Sequence, residues 1–141
     1  MKLKLNRVEM WTATIEDRAG GAADKLEPLG TAGVNLEFVF ARRMPEQPGK
    51  GMLFVTPVKG RKAINAAQEA GLAKSEEVCA LRIEGTDKPG ITAKMVRALA
   101  NAGISFRALS AACVGSKFVV YLALDTADDA ARANVVLKKF S

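Results

Sequence analysis

Histidine is absent from this chain of 141 residues, and cysteine occurs only twice. Without histidine, the usual zinc sites and every catalytic triad or general base built on histidine are excluded. Cys79 and Cys113 stand alone, without the CxxC spacing of a metal or redox motif, and they indicate no disulfide. We therefore expect no metal and no cofactor. Inert packing explains both cysteines best, and only Cys113, near a turn, is conceivable as a reactive thiol.

Long apolar runs are also missing. The longest unbroken one, residues 118–124, has seven residues, whereas a membrane-spanning helix needs roughly 20. The basic N-terminus is not followed by an apolar block of signal-peptide length. We expect a cytoplasmic protein with no membrane partner.

The overall composition is that of a folded globular protein. Hydrophobic residues make up 49% of the chain and charged residues 26%, which excludes general disorder. The length fits one ordinary domain or two small ones. The net charge of +6 is compatible with anionic ligands, with nucleic acid or with solubility alone, and its sign does not choose among them.

An internal repeat appears when the chain is compared with itself at an offset of 70 residues. Residues 17–20 (DRAG) align with residues 87–90 (DKPG), and residues 33–36 (GVNL) align with residues 103–106 (GISF). A turn, an apolar helical face and a second turn therefore recur in register. This agreement at several levels indicates a duplication.

Each copy has the pattern strand, helix, strand, strand, helix. Alternating apolar residues predict first strands over 8–15 and 78–84. Third strands at 52–58 and 118–124 are apolar throughout, which is typical of a central strand. Copy one can add a short strand near residue 73, whereas copy two ends directly after its helix.

The predicted fold is therefore α+β, with two ferredoxin-like βαββαβ repeats whose antiparallel sheets are packed by helices on one face. The domains are predicted to span 1–76 and 77–141, and the second repeat is expected to lack its last strand. Outer strands expose unpaired backbone groups, so we expect the second strands of the two copies to pair. The bare edge beside 78–84 could recruit another chain, and a homodimer is expected.

The motifs D-[KR]-x-G, at the start of the first helix, and G-[VI]-[NS], at the start of the second strand, resemble those of the ACT domain. The resemblance covers both copies and is closer in copy two, and it implies a free-standing pair of these regulatory modules. It also implies non-catalytic binding of a free amino acid or similar small metabolite between paired domains, with a regulated enzyme as a possible partner.

The chemistry of the first loop in each copy fits that implication. The first amides of a helix lack internal partners and favour a carboxylate, while an aspartate can receive an ammonium group. The matching family positions at the start of the second strand commonly touch the ligand. The predicted ligand-binding residues are Asp87, Lys88, Pro89, Gly90, Ile91, Thr92 and Ser105 in copy two, and Asp17, Arg18, Gly20, Gly21 and Asn35 in copy one.

Several of these residues also have a purely structural interpretation. The aspartates are acceptable helix caps, and the glycines and Asn35 suit tight turns. Copy one departs from the motif at Ala19 and Gly21 and carries Pro28 inside its predicted helix, so we rank the copy-two loop first. The long hairpin 42–51 is expected to be solvated, although its basic pair could cover a neighbouring site.

Two other functions remain as alternatives. A basic ferredoxin-like sheet is also a scaffold for binding RNA or a partner protein, but RNA recognition needs exposed aromatic residues on the sheet. We expect Trp11, Phe38 and Phe40 to pack in the core, which argues against nucleic acid. An acylphosphatase-like hydrolase would need an acid, a base and a nucleophile at workable spacing, and none is found. The protein is therefore expected not to be an enzyme.

Overall fold

The structure, a computed structural model, describes residues 2–140. It divides into two compact units, residues 9–75 and residues 2–8 together with 76–140. The predicted domains, 1–76 and 77–141, differ from this division mainly in where they place the N-terminal segment. Met1 and Ser141, at the outer ends of the predicted domains, lie outside the described residues.

Strands and helices follow the predicted order in both repeats. Across residues 2–140 the strands are β1 (Lys4–Val8), β2 (Trp11–Glu16), β3 (Phe38–Arg43), β4 (Lys50–Thr56), β5 (Ala73–Lys74), β6 (Cys79–Thr86), β7 (Ala108–Val114) and β8 (Lys117–Leu124). The helices are α1 (Ala23–Thr31), α2 (Arg61–Glu69), α3 (Ile91–Asn101) and α4 (Ala127–Lys139). None of these helices has the length and apolarity that crossing a membrane requires.

The unit of residues 9–75 contains a four-stranded antiparallel sheet with the strand order β3-β4-β2-β5, together with helices α1 and α2. Alternate residues of β2, namely Trp11, Ala13 and Ile15, are buried in one cluster with residues of both helices, among them Leu29 and Ala67. The alternation predicted for this strand is confirmed, although β2 begins at Trp11. Residues 2–8 belong to the other unit.

The second unit has the strand order β1-β6-β8-β7. Its fourth strand comes from the N-terminus of the chain, because β1 pairs antiparallel with β6 from Lys4–Glu84 to Val8–Ala80. Leu3 is buried in this unit's core and Leu5 packs against it, so burial of apolar surface favours the pairing. Within residues 2–140 no strand follows α4, and the expectation of a bare edge beside β6 is wrong because β1 occupies that edge.

The α+β fold class with two ferredoxin-like repeats is confirmed, and both third strands are interior as predicted. The expected pairing of the second strands is not found. Within the described residues β3 is hydrogen-bonded only to β4 and β7 only to β8, which gives two separate sheets. Nothing in the pattern of a single chain fixes which edge strands pair, since every edge exposes the same backbone groups.

The prediction for the aromatic residues is correct for Trp11 and wrong for Phe40. Trp11 is buried, but Phe40 is 45% exposed. The register puts Phe40 opposite Phe54, on the face away from the buried Val55. Because β3 is the edge strand, even Val39, opposite Val55, is 47% exposed. Residues of β3 that were expected in the core therefore point away from the helices.

Candidate functional site

The loops that precede α1 and α3 share one backbone conformation despite their different sequences. Gly20 and Gly90 have positive φ angles of 89° and 79°, as the predicted turns require. The repeat-related hydrogen bonds are Gly21 N to Arg18 O (3.0 Å) with Ile91 N to Lys88 O (3.2 Å), and Asp24 N to Gly20 O (3.0 Å) with Lys94 N to Gly90 O (3.0 Å). The turn glycines were correctly identified from the sequence.

Neither loop aspartate caps its helix. The residues before α1 and α3 are Ala22 and Gly90, and at neither helix start does a capping side chain accept a hydrogen bond from a backbone amide. The interpretation of Asp17 and Asp87 as helix caps is therefore wrong, and both carboxylates serve other contacts. At the start of α3, the amides of Gly90, Thr92 and Ala93 have no hydrogen-bond partner within residues 2–140.

In copy one the charged side chains of the loop pair with one another. Arg43 Nε donates to Asp17 Oδ1 at 3.1 Å and to Oδ2 at 2.9 Å. Arg18 Nη2 donates to Asp24 Oδ2 at 2.9 Å, and its Nη1 donates to the Ala19 carbonyl at 3.0 Å. The basic pair of the long hairpin thus reaches the neighbouring loop through Arg43, as the alternative interpretation had it.

The two copies also differ in the space above the turn. A Cβ placed at Gly20 would lie 3.3 Å from Arg18 Nη1, so this guanidinium lies over the turn. A Cβ at Gly21 would lie 2.0 Å from the Glu16 carbonyl oxygen, which excludes any side chain there. At Gly90, by contrast, a Cβ would meet no atom within 4 Å. The copy-two turn is therefore open to a ligand where the copy-one turn is covered.

In copy two, Cys113 takes the sequence position that Arg43, the partner of Asp17, has in copy one. A hydrogen bond to the Asp87 carboxylate, together with desolvation and the charge of Asp87, raises the pKa of the Cys113 thiol. At neutral pH this thiol is an uncharged donor. Within residues 2–140, no cation forms an ion pair with Asp87, and Lys88 and Lys94 form none with any acid. The copy-two loop therefore presents unpaired charges of both signs.

Asn35 and Ser105 do not join the loops of their own units. Each follows the C-terminus of a helix, whereas the loop precedes the N-terminus of the same helix. The two ends are roughly 14 Å apart in α1, which has nine residues, and roughly 16 Å apart in α3, which has eleven. Asn35 is exposed and lines a pocket of about 210 Å³ with Pro57, Lys59 and Lys62 among other residues. The predicted site residues are thus brought together at 87–92 and at 17–21, but not with the second-strand positions.

Sequence reasoning missed two residues that shape the copy-two loop, namely Lys94 and Cys113, and it did not assign Arg43 to Asp17. The signal was present, because the offset of 70 that aligns the two loops also aligns Arg43 with Cys113 and Asp24 with Lys94. In the part of the chain that the structure describes, no cluster of histidine, cysteine or acidic residues could hold a metal ion.

Comparison with known proteins gives similarity of fold only. No protein-family model matches the chain, and no curated protein is found as a relative.

Three solved structures show the similarity. Protein BT0572 from Bacteroides thetaiotaomicron superposes with a TM-score of 0.79 at 17% identity, over 96% of this chain and 89% of that one. The ligand-free regulatory subunit of aspartate kinase from Thermus thermophilus gives 0.66 at 18% identity, over 100% and 98% of the chains. A structure of the aspartokinase alpha and beta subunits gives 0.64 at 16% identity, over 99% and 96%.

Proposed function

We propose that this protein is a non-catalytic regulatory protein that binds a free amino acid or a related small metabolite at the loop 87–92. One observation carries the proposal: unpartnered amides at the start of α3 lie in the same loop as the Asp87 carboxylate, which has no cationic partner within residues 2–140. A zwitterion needs an anionic and a cationic receptor close together, and this loop offers both.

The loop assigns a place to each end of such a ligand. The carboxylate binds the amides of Gly90, Thr92 and Ala93, where the dipole of α3 favours negative charge. The ammonium group binds the Asp87 carboxylate, which has no cationic partner within residues 2–140. Pro89 restricts the loop before the ligand arrives, which lowers the entropy lost on binding.

Regulation follows when the ligand binds one arrangement of the protein more tightly than another. The similarity in fold to regulatory subunits of aspartate kinase supports this role. Because Asn35 and Ser105 lie beyond the opposite ends of their helices, a site that includes them requires another domain. We propose that a homodimer supplies it and that an enzyme reads the ligand-bound state.

A thermal-shift screen against the twenty amino acids tests the proposal. A ligand that binds only the native state stabilises it by about 2.7 kcal/mol at a concentration of 100 Kd. Asp87→Ala should abolish the shift of the active ligand. Asp17→Ala is the matched control, and it should keep the shift because Asp17 is already paired with Arg43. No shift with any amino acid at millimolar concentration, or equal losses in the two variants, would contradict the assignment.

Nucleic-acid binding remains a second candidate because of one observation. Phe40 is 45% exposed, its ring centroid lies 6.0 Å from that of Phe54, and Arg42 shares this face of the sheet. Exposed aromatic rings on such a sheet can stack on bases. If RNA binds here, Phe40→Ala should weaken binding strongly at moderate salt. Retention that vanishes with salt and is unchanged in Phe40→Ala indicates only nonspecific charge.

A further inference from the structure

The two loops have the same backbone but opposite states of charge pairing. In copy one two acids and two arginines form two ion pairs, so these four residues carry no net charge and each has a partner of opposite sign. In copy two the aligned residues comprise one acid, two lysines and a neutral thiol, with no ion pair among them in the described chain. The aligned residues are Asp17 with Asp87, Arg18 with Lys88, Asp24 with Lys94 and Arg43 with Cys113.

Lys94 can reach the ligand position, and copy one shows how. Asp24, at the aligned position, contacts the side chain of Arg18 at 2.9 Å. Both Asp24 and Lys94 donate their backbone amides to the turn glycine at 3.0 Å, so their Cα atoms occupy the same place on the helix. Side chains on a helix lean toward its N-terminus. The longer Lys94 side chain can therefore reach the turn at Gly90, where a Cβ would meet no atom within 4 Å.

We propose that the ligand of the copy-two loop is an amino dicarboxylate, an α-amino acid with an acidic side chain, and that each chain binds one. This rests on the proposed function and names the ligand class for the same loop. The loop carries a net charge of +1 from Asp87, Lys88 and Lys94, and an amino dicarboxylate carries –1 at neutral pH. The ligand restores in copy two the charge balance that copy one reaches internally.

Each charged group of this ligand has a partner. The α-ammonium binds Asp87 and the α-carboxylate binds the amides at the start of α3. The second carboxylate binds Lys94, with Lys88 as a second cation at the rim of the loop. In copy one the equivalent positions are taken, because Arg43 occupies the ammonium position and Arg18 lies over the turn. Copy one therefore binds no ligand.

Isothermal titration of the full chain at low ionic strength compares aspartate and glutamate with asparagine and glutamine, their uncharged isosteres. We expect one acidic amino acid bound per chain, about fivefold or more tighter than its amide, as one further ion pair allows. Lys94→Gln should remove most of this preference. The matched control is Lys138→Gln, an exposed helical lysine in the last turn of α4, which should leave it unchanged.

Cys113→Arg gives a second, independent variant, because it supplies the cation that Asp17 has in copy one. It should abolish binding without lowering the melting temperature, since Cys113 is exposed. If a neutral or basic amino acid binds at least as tightly as aspartate and glutamate, with the loss expected in Asp87→Ala, the ligand class is wrong and the proposed function stands. If no amino acid binds the wild-type chain, both are overturned.

Discussion

Gly85 lies directly opposite Phe118 in the sheet of the second unit, and the aromatic ring fills the space that a side chain at Gly85 would need. A Cβ at Gly85 would lie 2.7 Å from Phe118 Cε2. In the first unit the sizes are reversed, because Ile15 lies opposite Gly51. Each repeat thus fills this place in its core with one large residue and one glycine, on opposite strands.

Gly85→Ala should lower the free energy of unfolding by about 1–3 kcal/mol, because the new methyl group forces the buried Phe118 ring and the Leu3 side chain to move. Urea denaturation measures the change. Phe118→Leu should cost less stability in the Gly85→Ala background than in the wild type, since the smaller side chain makes room for the new methyl group. A double variant as unstable as the sum of the two single ones would show that the residues do not compete for space.

Gly30→Ala should have the opposite effect and stabilise the protein by about 0.5–1 kcal/mol. Gly30 is exposed within α1, its φ is not positive, and a Cβ there would meet no atom within 4 Å. Alanine therefore adds helix propensity without a clash. The same urea titration measures it, and a loss of stability would mean that the end of α1 depends on the glycine.

Thr126→Ala should destabilise the protein by about 1 kcal/mol, because Thr126 Oγ1 accepts a hydrogen bond from the Asp129 amide at 3.0 Å at the start of α4. Thr126→Ser keeps the acceptor and is the matched control, with stability close to that of the wild type. Equal unfolding midpoints for the alanine and serine variants would show that the cap contributes nothing measurable.

Periodicity was sufficient to predict most of the fold. Trp11, Ala13 and Ile15 alternate with polar residues because one face of β2 is buried, and the third strands are apolar because both of their faces are covered. Such patterns can be recognised from the local sequence alone. The exchange of β1 into the second unit was not predictable in this way. A short strand can complete any free antiparallel edge, and the choice depends on tertiary packing around Leu3 and Leu5.

The candidate site was likewise predictable only in part. The turn glycines at 20 and 90 were identified because only a few residues tolerate positive φ. The partners of Asp17 and Asp87 were not, because Arg43 and Cys113 come from the next hairpin and reach the loops only through strand pairing. The exposure of Phe40 was missed for the same reason, since the register with β4 decides which face it occupies.

Asp87→Asn should lower the pKa of the Cys113 thiol, because the carboxylate is the largest cause of the raised value and amides carry no charge. The reactive species is the thiolate, and its fraction below the pKa rises as the pKa falls. At pH 8 the variant should therefore react faster with a maleimide than the wild type. The comparison is made in a Cys79→Ser background, so that Cys113 is the only thiol.

The pH dependence separates this electrostatic effect from a change in access. If Asp87 acts on the thiol, the maleimide reaction rates of Asp87→Asn and wild type differ at pH 7–9. They converge at high pH, where Cys113 is a thiolate in both proteins. If the substitution only uncovers Cys113, the variant stays faster at every pH. Asp17→Asn, in the other repeat, should leave the profile unchanged. Coinciding profiles for Asp87→Asn and wild type would show that no hydrogen bond joins Asp87 to Cys113 in solution.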